Sequence, residues 1–426
     1  MKKPTLLALL LLPALLAGAQ GVRLTRYDAP TALYWNANDL FRYNRYEQAR
    51  FDLGLTWVIP NENARRQEGE PLRRSLGQWQ LHGDMGYGTA DRELKGRLDI
   101  QLRLPGSRGT RLKLSGFKDM ERAGERKLSG YDMLSVSQNT AMTSSRFSAV
   151  RGAQFEVSAT PHSNLGFALA LRQTWEEYRF DSVMRLYPAI DPAEQAPVRC
   201  FTELEGRLNC FRDLTLQVRT GRMAVEGEAR HYLRALAQYS HSTLPDGGCL
   251  SLFAQMGYAT GGTPYSRLFD LSGSGGYAYY FRNTFLTVRP NTFTANLFAH
   301  LCVNVTAPLP LWELSWSRPQ LFAQVNAAWG QLLDAGNTGR TVCDGMPLQA
   351  PYMGIFEPAT GFYGLLHWGI LDVGVAVAYQ MVPLQAPYLS IDPSECFAFM
   401  AVAELIFDKK LPIQYINNHS SPALIK

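Results

Sequence analysis

The sequence lacks a second long apolar segment. Beyond residue 19 it contains no run of about 18 apolar residues, whereas a membrane-spanning helix needs about 20. The hydrophobic fraction of 46% and the mean hydropathy of −0.16 fit a soluble protein, and they fit equally a membrane protein in which only alternate residues meet lipid. Helices of the inner-membrane type are therefore excluded, but membrane-spanning strands are not.

The sequence also lacks the motifs of most enzymes and metal proteins. Its 6 Cys include no C-x-x-C pair and no zinc-ligand spacing, and neither Gly-x-Ser-x-Gly nor a phosphate-binding loop occurs. We therefore assign no catalytic residue, no cofactor and no metal, and we expect a protein that is not an enzyme. No disulfide is assigned, because the 6 Cys allow many pairings and free thiols fit equally well.

A strong net charge is missing as well. The formal net charge is +5, which is too small to indicate nucleic acid as a partner. The N-terminus does carry a recognisable signal: Lys2 and Lys3 precede the apolar run Leu6 to Leu16, and Ala17-Gly18-Ala19 forms a cleavage site. Residues 1–19 are thus predicted to be a secretory signal peptide that is cleaved on export.

Three segments with regular alternation organise the rest of the chain. They run from Phe51 to Ile59, from Trp79 to Tyr87 and from Leu94 to Leu104, each with apolar residues on one face and polar residues on the other. The polar face is unusually charged for a soluble sheet. The residues expected to line a lumen with charge are Arg50, Asp52, His82, Asp84, Lys95, Arg97, Asp99 and Arg103. We interpret His82 beside Asp84 as a hydrogen-bonded lumen pair rather than a catalytic dyad.

The length of these segments separates two fold classes. A soluble antiparallel sandwich would also alternate, but its strands usually have about 5 to 6 residues. The segments here are about twice as long, as a tilted membrane strand requires. We therefore predict an all-β fold, a transmembrane antiparallel β-barrel, because only a closed barrel satisfies every strand hydrogen bond in lipid.

The barrel is predicted to occupy residues 45–407, after a periplasmic lead-in at 20–44 and before a polar C-terminal tail at 408–426. Alternation indicates further strands, among them Gly276 to Leu286 and Thr292 to Val305. Bacterial single-chain barrels have an even number of strands, so we predict about sixteen, with fourteen as the alternative.

The last predicted strand ends in an aromatic residue. Its apolar face carries Phe397, Phe399 and Phe407, an arrangement that resembles the signal by which outer-membrane barrels are recognised for insertion. This resemblance implies contact with the outer-membrane assembly machinery during insertion, and with outer-membrane lipid afterwards. Because a barrel has no free sheet edges, a monomer is expected.

Several blocks carry a family resemblance. They are Arg42-Tyr-Asn-Arg-Tyr-Glu47, Phe285-Leu-Thr-Val-Arg-Pro-Asn-Thr-Phe293 and the stretch from Pro351-Tyr-Met-Gly to Phe407. Together they resemble a Bacteroidetes-type outer-membrane β-barrel family of unknown function, whose members usually carry a carboxypeptidase-regulatory-like domain ahead of the barrel. The resemblance covers roughly residues 40–407.

Through that family the chain is distantly similar to the outer-membrane insertase and translocase barrels, the bacterial surface antigen superfamily. That similarity implies sixteen strands, periplasmic repeat domains and a Val-Arg-Gly-aromatic tip on an inward-folded loop. The tip is expected near Gly273 to Tyr277, where no Arg precedes the Gly pair. The only Val-Arg-Gly, at residues 150–152, lies far earlier in the chain and is interpreted as unrelated to the tip.

The resemblance favours a non-enzymatic outer-membrane barrel that acts in envelope biogenesis or in transport across or into the outer membrane. A passive channel or porin is the alternative, and a lipid-modifying enzyme of the outer membrane is a third. A weak seam between the first and last strands would favour the insertase, an open lumen the channel, and a Ser–His pair within hydrogen-bond reach the enzyme. The client and the periplasmic partners are not identified by the sequence.

Overall fold

The computed structural model describes twenty separate stretches of the chain. They are residues 22–26, 29–36, 41–44, 47–59, 77–104, 109–122, 146–162, 164–180, 198–211, 213–225, 227–243, 248–271, 273, 285–288, 292–309, 316–317, 319–333, 348–368, 371–381 and 396–405. The predicted signal peptide, the predicted tail and Phe407 lie outside them. Within these stretches no helix is long and apolar enough to cross a membrane.

Strands account for nearly all regular structure. In chain order they are β1 (Val22–Arg23), β2 (Ala32–Asn36), β3 (Phe41–Asn44), β4 (Gln48–Ile59), β5 (Gln78–Gly88), β6 (Leu94–Arg103), β7 (Arg111–Arg122), β8 (Arg146–His162), β9 (Leu165–Phe180), β10 (Arg199–Cys210), β11 (Leu214–Val225), β12 (Glu228–Thr243), β13 (Cys249–Ala259), β14 (Phe269–Leu271), β15 (Phe293–Ala295), β16 (Leu297–Pro308), β17 (Gln320–Gln331), β18 (Ile355–Trp368), β19 (Leu371–Tyr379) and β20 (Phe397–Leu405). A single 3-10 turn, Tyr265–Arg267, precedes β14.

The burial pattern is inverted relative to that of a soluble protein. On β4, Leu53 is 52% exposed, whereas its charged neighbours Arg50 and Asp52 are 1% and 3% exposed. On β6, Leu98 is 52% exposed and Lys95 only 2%. Apolar side chains facing out and charged side chains facing in are what a barrel wall in lipid needs, so the predicted fold class is confirmed.

The large sheet is antiparallel, and each strand pairs with its neighbour in the chain apart from the excursion between β13 and β16. Both β2 and β3 pair with the same edge of β4, β3 opposite residues 48–51 and β2 opposite residues 54–58. They therefore share one strand position, which gives the sheet sixteen positions from β2/β3 to β20, as predicted. Strands β14 and β15 form a separate small sheet.

The start of the sheet differs from the prediction. The barrel was predicted to begin at residue 45, after a lead-in at 20–44 that enters the barrel or lies at its periplasmic mouth, but β1, β2 and β3 lie within that segment and belong to the sheet. The wall therefore begins at Ala32, which is 1% exposed. The sequence misled because β2 and β3 are short and interrupted, and neither shows the long alternation of the later strands.

The two ends of the sheet do not pair within the part of the chain that the structure describes. β20 forms a register only with β19, and β3 only with β4. We call the gap between the β2/β3 position and β20 the seam. A closed barrel would have no such gap, so the seam is the main departure from an ordinary porin-like wall.

Candidate functional site

A long excursion between β13 and β16 folds back among the inward-facing side chains of the sheet. We call residues 260–296 the plug loop. Its described apolar residues are almost fully buried and join inward-facing residues of the wall in one cluster. The plug members of that cluster are Phe269, Leu271, Phe285, Val288, Phe293 and Ala295, and the wall members include Leu236, Ala259, Phe298, Ala328 and Ile355.

This loop corrects two expectations. The alternation at Gly276 to Leu286 predicted a strand; residues 276–284 lie outside the described stretches, and Phe285 and Leu286 are not in a strand but buried in the plug loop. The stretch Thr292 to Val305 was predicted as one strand, yet it divides between the plug strand β15 and the wall strand β16. Apolar alternation alone cannot distinguish a strand that faces lipid from a segment buried in the lumen.

The first anchor of the plug loop is a buried ion pair. The Arg267 guanidinium donates from Nε to Oε1 of Glu203 at 2.8 Å and from Nη2 to Oε2 at 3.3 Å. Its Nη1 lies 3.0 Å from Oε2 of Glu176. Glu203 is on β10 and Glu176 on β9, so one loop residue bridges two neighbouring wall strands. Both carboxylates are nearly inaccessible to water. Removing either partner of the ion pair would therefore leave the other charge buried and unpaired, which costs folding free energy.

Aromatic side chains complete this anchor. The guanidinium carbon of Arg267 lies 4.3 Å from the centre of the Phe201 ring, and the hydroxyl of Tyr232 donates to Oε1 of Glu203. Burial by itself would lower the pKa of Arg267, but Glu176 and Glu203 raise it well above its ordinary value. The guanidinium is therefore charged at any physiological pH.

The second anchor lies on the other side of the loop, on β18. Glu357, which is 0% exposed, accepts hydrogen bonds from the backbone N–H groups of Leu286 and Thr287, both at 2.8 Å. The Thr287 hydroxyl donates to the same carboxylate. A carboxylate that accepts several hydrogen bonds is a strong acceptor even without a cation. The plug loop is thus held at two distant strand positions, β9/β10 and β18.

Glycines in the wall make room for the plug loop. A Cβ atom on Gly257 would lie 2.7 Å from Cζ of Phe269 and 2.3 Å from Cε1 of Phe298. A Cβ atom on Gly330 would lie 3.0 Å from the Cβ of Ala295. The inner face of β13 and β17 is therefore shaped to accept the plug.

This close approach makes a prediction. Gly257→Val should displace Phe269 and loosen the plug loop, at a cost of about 1 to 3 kcal/mol in unfolding free energy because the site is already packed. Urea unfolding in lipid vesicles would measure the cost. The control is Gly206→Val on β10, where a new Cβ meets nothing within 4 Å and little change is expected. An equal loss in both variants would contradict the packing argument.

The predicted lumen charges fall into a second cluster, on β4 to β7. Arg50 donates from Nε to Oδ1 of Asp52 at 2.7 Å and pairs with Asp119 of β7, while its Nη2 lies 4.0 Å from Oδ2 of Asp84. All three predicted residues, Arg50, Asp52 and Asp84, are buried. Asp119 was not singled out in the sequence, because it lies at the end of an alternating run.

Lys95, Arg97 and Asp99 extend this cluster along β6. The Lys95 ammonium lies 2.6 Å from Oε1 of Glu47, and Arg97 donates from Nε to Oδ1 of Asp99 at 2.8 Å. Arg103, at the end of β6, is exposed and stands apart from these pairs. The cluster joins successive strands of the wall.

His82, the predicted partner of Asp84, lies beside a hydroxyl group of the neighbouring strand. Nδ1 of His82 lies 2.9 Å from Oγ1 of Thr56 on the neighbouring strand, whereas the sequence suggested Asp84 as the partner. Among the described residues no group of three or more His, Cys, Asp or Glu could hold a metal ion. The described Cys residues, at 200, 210, 249, 302 and 396, are free thiols.

The terminal strand carries two of the three predicted signal residues in exposed positions. Phe397 is 63% exposed and Phe399 78% exposed, more than most outward-facing residues of the wall. The ring of Phe397 lies 4.7 Å from that of Tyr379 on β19. Such exposure follows from the position of β20 at the end of the sheet, where one flank has no neighbouring strand among the described residues.

The most buried polar residues of the site were missed in the sequence. Glu203 and Glu357 occupy inward positions of alternating strands, and Arg267 precedes the apolar residues Leu268 and Phe269. A search of the sequence for charged residues within apolar stretches would have found all three. Arg267 lies six residues before Gly273, where the family tip was expected. Arg151, in the only Val-Arg-Gly, is exposed in β8, as expected for an unrelated sequence.

Comparison with solved structures finds outer-membrane barrels at low similarity. BamA from Haemophilus ducreyi lacking POTRA domains 1-3 is 12% identical, with a TM-score of 0.47 over 88% of this chain and 70% of that chain. CdiB from Escherichia coli is 11% identical, with a TM-score of 0.41 over 88% and 62%. CdiB from Acinetobacter baumannii is 10% identical, with a TM-score of 0.37 over 84% and 57%.

This chain thus spans less than two thirds of the length of either CdiB chain. No protein-family model matches the sequence, and no curated protein matches it. At such low identities and TM-scores the comparisons carry no argument about function. What the protein can do follows from its own residues: an anchored loop packed among inward-facing side chains of the wall, and a seam at which β3 and β20 each pair on one side only within the described chain.

Proposed function

We propose that this protein is a non-enzymatic outer-membrane barrel that moves a polypeptide into or across the outer membrane through its seam. The observation that supports this most is the absence of a register between β20 and the β2/β3 position in the described chain. The edge of a strand presents backbone N–H and C=O groups that match an extended polypeptide. A polypeptide client is therefore the class of molecule that the seam fits best.

The filled lumen supports the same proposal over a passive channel. The plug loop is held by Glu203 on one side and by Glu357 on the other, and its aromatic residues are buried between them. A solute crossing the lumen would have to break these contacts first. Entry at the seam demands no such rupture beside β3 and β20, because each of these strands pairs on one side only within the described chain.

The passive channel stays the second candidate because of the charged wall. Arg50, Lys95 and Arg97 with their carboxylate partners form a polar inner surface on β4 to β6, typical of barrels that conduct ions. In that case the plug loop would be a gate. Steady open conductance of the purified, refolded protein in a planar bilayer would favour the channel over the proposal.

A disulfide across the seam tests the proposal directly. In a background without the native Cys, Cys substitutions along β3 are combined with Cys substitutions along β20, and a pair that oxidises closes the seam. Quantitative proteomics of the outer-membrane fraction of the native host should then show depletion of client proteins, reversed by a reductant. The measurement compares oxidised and reduced cells of the same strain.

The matched control is a disulfide between strands that are already paired. Leu53→Cys on β4 and Met85→Cys on β5 are direct register partners, so their oxidation should leave the outer-membrane proteome unchanged. If the seam disulfide forms and the proteome is likewise unchanged, the translocation proposal is wrong.

The location belongs to the proposal as well. An export signal at residues 1–19 and a wall that is apolar outside and charged inside both favour the outer membrane. The finer family, the Bacteroidetes-type barrels of unknown function, rests on the sequence blocks alone. We expect the barrel to act as a monomer with periplasmic partners that supply the client.

A further inference from the structure

The edge of β2 that faces the seam is already covered, by a segment of the same chain. β1 runs antiparallel to β2, with Val22 opposite Trp35 and Arg23 opposite Tyr34. Beyond the strand, the N–H of Leu24 donates to the carbonyl of Leu33 at 2.8 Å. The N–H of Leu33 in turn donates to Oγ1 of Thr25 at 3.2 Å. We call residues 22–25 the edge cover.

The edge cover occupies the flank of β2 with which an incoming strand would have to pair. β4 occupies one flank of β2 along its whole length, from Ala32 opposite Val58 to Asn36 opposite Gly54. The edge cover therefore sits on the remaining flank, which is the flank that faces the seam. Any other strand that pairs with β2 there must first remove it, because one edge offers one set of N–H and C=O groups.

The cover is incomplete. It spans β2, whereas β3, which continues the same strand position, pairs only with β4 in the described chain. One strand position thus has a covered half and an open half. An incoming strand can start on the open half and then extend onto β2 by displacing a cover held by two register pairs and two flanking hydrogen bonds.

We propose that residues 22–25 act as a built-in competitor strand, which keeps the first strand position partly closed until an extended polypeptide, pairing first with β3, displaces it. This inference deepens the proposed function and rests on it. The cover lowers the exposure of a strand edge that would otherwise invite unspecific pairing. It also restricts entry to chains long enough to reach from β3 to β2.

Two variants change the cover in opposite directions. Leu24→Pro removes the N–H that bonds to Leu33 and should release the cover, whereas Leu24→Ala keeps that N–H and serves as the control. Arg23→Cys with Tyr34→Cys joins direct register partners and should lock the cover under oxidation. Both use the full chain, with the native Cys replaced in the locked variant.

Hydrogen exchange of the Leu33 and Trp35 amides, which point toward the edge cover, is the first readout. These amides should be protected in the unaltered chain and in Leu24→Ala, and should exchange about tenfold faster or more in Leu24→Pro, the change expected from losing a hydrogen bond or two. Equal exchange in the unaltered chain and in Leu24→Pro overturns the proposal, because the cover would then not be formed.

Strand competition is the second readout. The probe is a fluorescent peptide with the sequence of Phe397 to Leu405 and a solubilising Lys tail, added to the protein in nanodiscs. Leu24→Pro should bind it about tenfold faster than Leu24→Ala, and the oxidised Cys pair should abolish binding until reductant is added. Unchanged binding in the locked protein, or no binding to any variant, overturns the competitor role.

The experiments can overturn the translocation proposal and the edge-cover proposal independently of each other. If locking the cover blocks the probe while the seam disulfide leaves the outer-membrane proteome unchanged, the cover is a true competitor in a protein that is not a translocase. If the seam disulfide depletes client proteins while the locked cover still admits the probe, translocation stands and the cover has no part in it.

Discussion

Glu203→Leu is expected to open the barrel. The change leaves the Arg267 guanidinium buried, with Glu176 as its remaining close carboxylate from the first anchor. Removing one partner of a buried ion pair costs about 3 to 5 kcal/mol, because the other charge stays out of water. The protein can avoid that cost by releasing Arg267, and with it the plug loop, into solvent.

Single-channel recording in a planar bilayer measures this release. The unaltered protein should be closed or flicker, and Glu203→Leu should show frequent open events. Glu205→Gln is the matched control: Glu205 lies on the same strand and accepts from Nε of Arg219, a residue of the wall strand β11, at 3.0 Å. Open events of equal frequency in both variants would show that Glu203 is not an anchor.

A second change separates loss of the anchor from general damage. Adding Arg267→Met to Glu203→Leu removes the stranded cation and places an apolar side chain beside Phe201. Buried ion pairs replaced by well-packed apolar residues are often neutral in stability. The double variant should therefore be closed more of the time than Glu203→Leu alone. A double variant that is open more often would contradict the account of the ion pair.

Leu98→Arg should be the most damaging change on the outer wall. Leu98 is 52% exposed near the middle of β6, on the face that meets lipid. An Arg facing lipid near the bilayer midplane costs about 2 to 4 kcal/mol. Gln101→Arg, on the opposite face of the same strand, should cost much less, because its guanidinium would meet the polar lumen.

Urea unfolding of both variants in vesicles gives the comparison. The strand, the new side chain and the added charge are the same, so the difference between the two free energies of unfolding reports the face alone. Equal costs would overturn the assignment of the outer wall, and with it the reading of this sheet as a membrane barrel.

The wall was predictable from the sequence because its signal is local. Alternation with a period of two fixes which residues share a face, and strand length distinguishes a membrane wall from a soluble sheet. Arg50 and Asp52 could therefore be assigned to the lumen side.

The plug loop was not predictable, because its contacts are remote in sequence. Arg267 and Glu203 are 64 residues apart, and Leu286 and Glu357 are 71 apart. No local pattern identifies which inward carboxylate meets which loop residue. The seam was hidden for a similar reason: β2 and β3 are too short for a periodic signal, and their common position appears only through pairing with β4.

The two anchors tie some strands of the wall to the plug loop by hydrogen bonds and leave others without such a tie. The last of the two hydrogen-bonded anchors lies on β18, at Glu357, and beyond it toward the seam β19 and β20 share only a hydrophobic cluster with Leu286 of the plug loop. Between β18 and β19 the register shifts between Phe362 and Leu366, and Gly364 has a φ of 63°. The seam is therefore bordered on that side by two strands that carry neither hydrogen-bonded anchor and that join β18 through an irregular pairing, so a wider opening of the seam would bend the wall there first.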